Sequence, residues 1–293
     1  MPDSLLQRVG LIGRPIAHSR SPAMHQAAFD ALGLPVRYEL WETPDVAALA
    51  RRISALRQLG ILGANITIPW KEAALALLDD LDESVRRLAG AVNTVTREET
   101  AQGVRLIGHN TDAPAFDRVL DEMDAWASSR RMLILGAGGA AQAALGVAVA
   151  RGVEPWIAAR RVESAQEALA RLAGRLAGPL RWPDHAFALD DLPALAAALR
   201  ESQILVNATP TGTGDPLASP LPLDLLVALP ADAVVLDLVY APPETGLVRA
   251  ARAAGLRAMG GRTMLLYQGT LAFTLWTDQP APLEVMRRAL ALE

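Results

Sequence analysis

One stretch constrains the fold more than any other: "RRMLILGAGGAAQAALGVAVARG", residues 130–152, runs from an apolar strand through a glycine turn into a helix. Gly136, Gly138 and Ala141 stand in the spacing G-x-G-x-x-[GA] between strand and helix. In that setting the first glycine permits the tight turn, the second lets a pyrophosphate approach the backbone, and the small third residue lets the helix pack close to the sheet. Amides at the helix N-terminus then face the phosphates. The alternative, a glycine turn without a ligand, does not need this strand–turn–helix order. The end of the next strand bears on which dinucleotide is held: an NAD site carries Asp or Glu there, and an NADP site favours arginine for the 2′-phosphate. Here "WIAARRVES" supplies Arg160 and Arg161 and no acid before Glu163, which favours NADP over a reading of the arginines as solvated surface charge.

The rest of the chain repeats the alternation of apolar runs with helical patterns, the signature of an α/β protein with mainly parallel sheets. At 293 residues two domains are expected. "RVGLIG" reads as a first strand and "SPAMHQAAFDALGL" as a helix capped by Ser21, with Pro22 at its first position and Gly33 at its exit. "VRYELWE" alternates as a strand, and Thr43 and Pro44 repeat the capping pattern before an amphipathic helix. "ILGANITI", a helix from about Trp70 to Leu78, and the strands "AVNTVTRE" and "GVRLIGHN" follow. A helix from about Asp112 leads to the polar break "ASSRR", taken as a domain transition. Beyond the glycine turn, "PWIAAR", "QILVNAT" and "AVVLDLVY" read as strands, and "TMLLYQGTLAFTLWT" and "PLEVMRRALALE" as two closing helices.

Composition removes several classes of function. Hydrophobic residues make up 51% and charged ones 20%, which argues against disorder. The net charge of −4 is spread out, without a basic stripe for nucleic acid. With no cysteine there is no disulfide, thiolate metal site or cysteine nucleophile. His18, His25, His109 and His185 lack ligand spacing, so no metal is expected. The N-terminal "MPDSLLQRVGLIGRPIAHS" reads as the start of the fold rather than a leader, and no apolar run reaches the length of a membrane span. A cytoplasmic protein is expected.

Four stretches of the first half, "PIAHSRSP", "GANITIPWK", "GAVNTV" and "GHNTD", put hydroxyl and amide side chains next to strand ends. A buried polar group costs about 1–3 kcal/mol unless it finds a partner. Parallel α/β sheets bind ligands outside the carboxyl ends of their strands. If the four converge, they form a hydroxyl- and amide-lined site with one lysine, Lys71, and one aspartate, Asp112, suited to a polyhydroxylated small molecule.

In their order along nearly the whole chain, "GLIGRPIAHSRSPAMH", "GANITIPWKE", "GAVNTV", "GHNTDA", "GAGGAA", "NATPTG", "DLVYAPPET" and "MLLYQGTLAF" resemble the shikimate dehydrogenase family. The resemblance implies an NADP-dependent oxidoreductase acting on CH–OH, which reversibly reduces 3-dehydroshikimate to shikimate in aromatic amino acid biosynthesis. It implies an N-terminal substrate-binding domain over residues 1–112, completed by about 262–293, that faces a Rossmann dinucleotide-binding domain over 113–261 across a cleft. Carried over by position, Lys71 and Asp112 would be the catalytic pair, and either remains open as the formal base. Ser19, Ser21, Asn65, Thr67, Asn93, Tyr240 and Gln268 would bind substrate. Gly136, Ala137, Gly138, Gly139, Ala140, Arg160, Arg161, Thr209, Leu238 and Gly261 would contact NADP. The implied partners are small molecules, with neither nucleic acid nor membrane, in a monomer or homodimer.

The chemistry suits such a pair: as hydride reaches the ketone carbon, negative charge develops on oxygen, and an ammonium beside it stabilises and protonates it. Asn65 and Thr67 share a strand face by period-two alternation, so both are expected to look toward the substrate. Ala113, Ala159 and Arg161 depart from the family pattern, where glycine, asparagine and threonine are common. The serine pair favours shikimate, whereas "LLYQG" is similar to relatives of broader specificity. A quinate/shikimate or aminoshikimate dehydrogenase and a non-catalytic metabolite-sensing relative are the alternatives.

Overall fold

The computed structural model describes residues 6–127, 129–176 and 182–292. Ser128 of the expected domain transition and Glu293 of the last expected helix lie outside the described residues. The chain forms two α/β units, each with a six-stranded sheet.

The first unit takes Met1–Arg86, Ala91–Asp112 and Leu265–Glu293, within the described residues. It opens with β1 (Gln7–Gly13), α1 (Ser21–Ala31), β2 (Val36–Glu42), α2 (Val46–Ala55) and β3 (Ile61–Ile66). The short β4 (Asp80–Leu81) and the hairpin strands β5 (Thr94–Thr100) and β6 (Gly103–His109) complete the sheet, in the order β2-β1-β3-β5-β6-β4. Only β5 runs against its neighbours. Thr100 pairs with Gly103 across a two-residue connection, Gly103 holds φ +117°, and the Thr100 hydroxyl donates to the Gly103 carbonyl at 2.7 Å. That reversal brings the beginning of β5 to the edge where β3 and β6 end: the Ile66 N–H donates to the Asn93 carbonyl at 2.8 Å, and the Asn93 N–H to the His109 carbonyl at 3.1 Å. Ile12, Leu49, Ile53, Ile66, Val95 and Leu106 form one core of this unit.

Three local expectations change. Ser21 is the first residue of α1 rather than its cap; Arg20 stands at the cap position without a side-chain bond, and the Ser19 hydroxyl one residue earlier accepts the Ser21 N–H at 3.2 Å. Asp45, not Thr43, caps α2, accepting the Ala48 N–H at 2.7 Å, because the Thr43 hydroxyl turns back to donate to the Trp41 carbonyl at 2.8 Å. The helix expected over Trp70–Leu78 is a short 3₁₀ turn over Ala73–Leu77. There the Lys71 carbonyl accepts the Val92 N–H at 2.8 Å, so a tertiary bond occupies an acceptor that a helix would use.

α3 (Asp112–Glu122) leads into the second unit, Arg87–Gly90 with Ala113–Met264. Its elements are β7 (Arg131–Leu135), α4 (Gly139–Ala150), β8 (Glu154–Ala159), α5 (Val162–Arg175), β9 (Ala186–Ala188), α6 (Leu192–Glu201), β10 (Ile204–Asn207), β11 (Val234–Asp237), α7 (Gly246–Ala253) and β12 (Arg257–Met259). All strands are parallel, in the order β9-β8-β7-β10-β11-β12. This is the doubly wound Rossmann order, with its switch point between β7 and β10, where such sheets bind nucleotides. The three-residue edge strands β9 and β12 are too short for their periodicity to be read from sequence.

α8 (Arg262–Thr277) and α9 (Leu283–Ala289) close the chain. Residues from Leu265 onward return to the first unit, where Phe273 meets Phe29 at 5.1 Å between ring centroids and the Trp276 indole donates to the Val95 carbonyl at 3.1 Å. An added Cβ at Gly63 would lie 2.6 Å from the Trp276 ring nitrogen, so glycine is what lets the indole rest on the sheet. Among the described residues no helix is long and apolar enough to cross a membrane.

Candidate active site

The carboxyl edge of the first sheet gathers the polar stretches. Lys71 sits in the turn after β3, held by its own carbonyl bond to Val92 and by the neighbouring Trp70 indole, which donates to the Thr43 carbonyl at 2.9 Å. Asp112 opens α3, where a helix N-terminus favours a carboxylate. Lys71 Nζ lies 2.5 Å from Asp112 Oδ2, and the two side chains keep only 16% and 8% of their exposure. At that degree of shielding the ion pair is short, charge-assisted and little screened.

Side chains around the pair orient one another in sequence. Asn93 Nδ2 donates to Asp112 Oδ1 at 2.8 Å and to Thr111 Oγ at 2.9 Å, while its Oδ1 accepts the Thr111 N–H at 2.7 Å and the Thr94 hydroxyl at 3.1 Å. Asn65 Nδ2 donates to Thr94 Oγ at 3.1 Å and to the Asn93 carbonyl at 3.2 Å, and its Oδ1 accepts the Tyr38 hydroxyl at 2.7 Å. One hydrogen-bonded line thus runs from Tyr38 through Asn65, Thr94 and Asn93 to Asp112 and Lys71. Tyr38, Thr94 and Thr111 belong to it although the sequence reading did not single them out. Thr94 and Thr111 stand inside "GAVNTV" and "GHNTD" and were open to notice, whereas Tyr38 is hidden in the ordinary alternation of β2.

The remaining expected substrate residues are placed as follows. Ser19 and Ser21 share the turn after β1, with Ser21 buried and Ser19 half-buried. Thr67 lies one residue past β3, half-buried, its N–H on the Ile12 carbonyl at 2.9 Å. Gln268 is buried on α8 and donates to the Leu265 carbonyl at 2.9 Å. Tyr240 belongs to the second unit, on the turn that follows β11.

In the second unit the glycine turn has the expected form. Gly136 follows β7 with φ +106°, and an added Cβ would lie 3.0 Å from the Ala208 backbone. An added Cβ at Gly138 would meet nothing within 4 Å, and Gly138 caps α4 without a side chain. With Ala137, Gly139 and Ala140 this leaves an open backbone cradle at a helix N-terminus, which fits a pyrophosphate. Arg160 and Arg161 are exposed at the end of β8, where a 2′-phosphate would be met. Thr209 follows β10, Leu238 follows β11, and an added Cβ at Gly261 would lie 2.2 Å from the Leu238 carbonyl oxygen.

A Rossmann unit with a phosphate cradle, and a second α/β unit carrying a shielded lysine–aspartate pair among amides and hydroxyls, define a two-unit dinucleotide-binding protein of the α/β class. The chain belongs to the shikimate dehydrogenase family. Residues 11–95 match the family profile "Shikimate dehydrogenase substrate binding domain", and 261–291 match "Shikimate 5'-dehydrogenase C-terminal domain". Shikimate dehydrogenase (NADP(+)) of Symbiobacterium thermophilum is 41% identical, over 96% of this chain and 92% of its own length. The Thermus thermophilus shikimate 5-dehydrogenase in complex with NADP(H) and shikimate is 38% identical, covering 97% of this chain and 98% of its own, with a TM-score of 0.79. A Corynebacterium glutamicum quinate dehydrogenase in complex with NAD is 31% identical over 97% of this chain and 98% of its own, with a TM-score of 0.82.

Proposed function

We propose that this chain is an NADP-dependent shikimate dehydrogenase that reversibly reduces 3-dehydroshikimate to shikimate, a step toward the aromatic amino acids. The observation that carries this reading is the shielded Lys71–Asp112 pair, fixed by Asn93 within a family whose members bear that name. Bound NADPH supplies the hydride to the ketone carbon. Lys71 has three N–H donors, and the bond to Asp112 uses one, leaving donors for the substrate oxygen on which charge develops. It stabilises that oxygen and then delivers the proton; in the oxidative direction it takes the hydroxyl proton back. Both Asp112 oxygens already accept bonds, from Lys71 and from Asn93, so we give Asp112 the orienting role.

Asn65 donates both amide hydrogens within the protein, so it meets the substrate as an acceptor, through Oδ1. Ser19, Ser21, Thr67 and Gln268 supply further hydroxyl and amide contacts, and Tyr240 is a further contact in the same reading. Arg160 and Arg161 hold the 2′-phosphate. The enzyme would act in the cytoplasm on small molecules alone, as a monomer or homodimer.

Absorbance of NADPH formed from NADP⁺ tests the proposal, with shikimate and quinate each paired with NADP⁺ and NAD⁺. Fastest turnover with shikimate and NADP⁺ is expected. Preference for quinate with NAD⁺ would assign the chain to the quinate branch of its structural neighbours, and absence of all turnover would overturn an enzymatic role.

A further inference from the structure

We propose that Asp237 is a positioning residue for the nucleotide: its buried carboxylate fixes together the loops that follow β10 and β11, the first of which packs against the glycine turn. The inference rests on the reading that this unit binds NADP(H). Asp237 ends β11 and Asn207 ends β10; they are register partners and neither is exposed. Asp237 Oδ1 accepts Asn207 Nδ2 at 2.8 Å and the Val239 N–H at 3.0 Å, and Oδ2 accepts the Thr245 hydroxyl at 2.6 Å. Asn207 carries the restraint onward, its Oδ1 accepting both the N–H of Thr209 at 3.0 Å and its hydroxyl at 2.7 Å, while its Nδ2 also donates to the Thr211 carbonyl at 3.2 Å.

Those partners are an amide, a hydroxyl and a backbone N–H, all neutral. A carboxylate in such surroundings is costly to bury, and burial pushes its pKa up while the three donors pull it down. An apolar residue would fill the space at less cost, so what the carboxylate adds is the joining of two loops. Each loop rests on a glycine. The Ala208 backbone would be 3.0 Å from a Cβ at Gly136, and the Leu238 carbonyl 2.2 Å from one at Gly261. A shift of the loop after β10 by a few tenths of an ångström would therefore reshape the cradle at Gly136, and a like shift of the loop after β11 would displace Leu238 against Gly261. Arg160 stands two strands away from β10, beyond β7, and reads a different end of the nucleotide. Loss of the Asp237 restraint should consequently weaken NADP⁺ and NAD⁺ alike.

Calorimetric titration of the full chain with each nucleotide tests this without requiring turnover. Losing a buried hydrogen-bond partner in Asp237→Ala should raise the Kd for NADP⁺ and for NAD⁺ by about tenfold each. The KM for shikimate should change less than either nucleotide Kd, because among the expected substrate contacts only Tyr240 adjoins this network. Asp237→Asn keeps an oxygen for Asn207 and Val239, and should recover most of the affinity. Should Asp237→Ala fail to fold, Asn207→Ala, which removes the bonds to Asp237, Thr209 and Thr211 but leaves Asp237 joined to Val239 and Thr245, should give the same parallel weakening. Unchanged nucleotide affinity in the folded variants, or weakening of NADP⁺ alone, would overturn the proposal. Nucleotide binding by the wild type without shikimate oxidation would refute the catalytic reading and leave this one standing; no nucleotide binding by the wild type would refute both.

Discussion

The two units prepare their carboxyl edges by opposite means. The first fills its edge with side chains that hold one another, from Tyr38 to Lys71. The second removes side chains at Gly136, Gly138 and Gly261 and lets the backbone form the surface. The difference follows the ligands each would take. A small polyhydroxylated ring is recognised by directed donors and acceptors, each of which must be aimed. A diphosphate is recognised by main-chain amides, which need only close approach. One edge should therefore fail when a functional group is removed, and the other when a methyl is added.

The largest expected effect breaks the first edge. Lys71→Ala should lower kcat by about 10²- to 10⁴-fold, the range for a lost general acid–base group, with NADP⁺ affinity unchanged. Gly136→Val is the matching test of the second. Strain at a glycine-only φ and contact with the Ala208 backbone should cost about 1–3 kcal/mol, read as a lower Tm and weaker NADP⁺ binding at unchanged KM for shikimate.

The same contrast between local and long-range constraint sets how much of each edge is legible in the sequence. The glycine turn was readable because its constraint is local: strand, spacing and helix stand next to one another in the chain. Asn65, Asn93, Lys71 and Asp112 were readable as polar residues out of place and by resemblance, but their mutual aim was not. It depends on the reversal of β5, which carries Asn93 to the carboxyl edge of its neighbours. The expected helix after Trp70 failed for the same kind of reason, since the bond from Val92 to the Lys71 carbonyl comes from twenty-one positions along the chain. Asp237 and Asn207 look like ordinary strand ends in "DLVY" and "LVNAT", and only pairing of β10 with β11 joins them.

Smaller effects sharpen the contrast. Beneath Tyr38 in the first unit, the His25 ring stacks at 4.7 Å and is fully buried, with neither ring nitrogen hydrogen-bonded. Burial lowers its pKa from 6.5 to about 3. The neutral ring is thus the native form, and the unfolded chain takes up a proton that the native state refuses. Stability from this source is complete above pH 6.5 and is lost as pH falls toward 3. Between pH 7 and 5 the wild type should lose about 2 kcal/mol that His25→Phe retains, measured by denaturant unfolding at both pH values. In the second unit Arg160→Ala should lower the NADP⁺ to NAD⁺ preference in kcat/KM by about tenfold, with little change in stability, since it removes an exposed charge.

The central claim is that Lys71 and Asp112 act as one catalytic group in a unit separate from the one that holds the nucleotide. A double-mutant cycle tests it most directly, with kcat for shikimate oxidation and Kd for NADP⁺ measured for Lys71→Ala, Asp112→Asn and both together. The account predicts that the double variant loses about as much turnover as Lys71→Ala alone, with NADP⁺ affinity the same in all four proteins. Losses that multiply, or nucleotide affinity that falls in step with turnover, would contradict it.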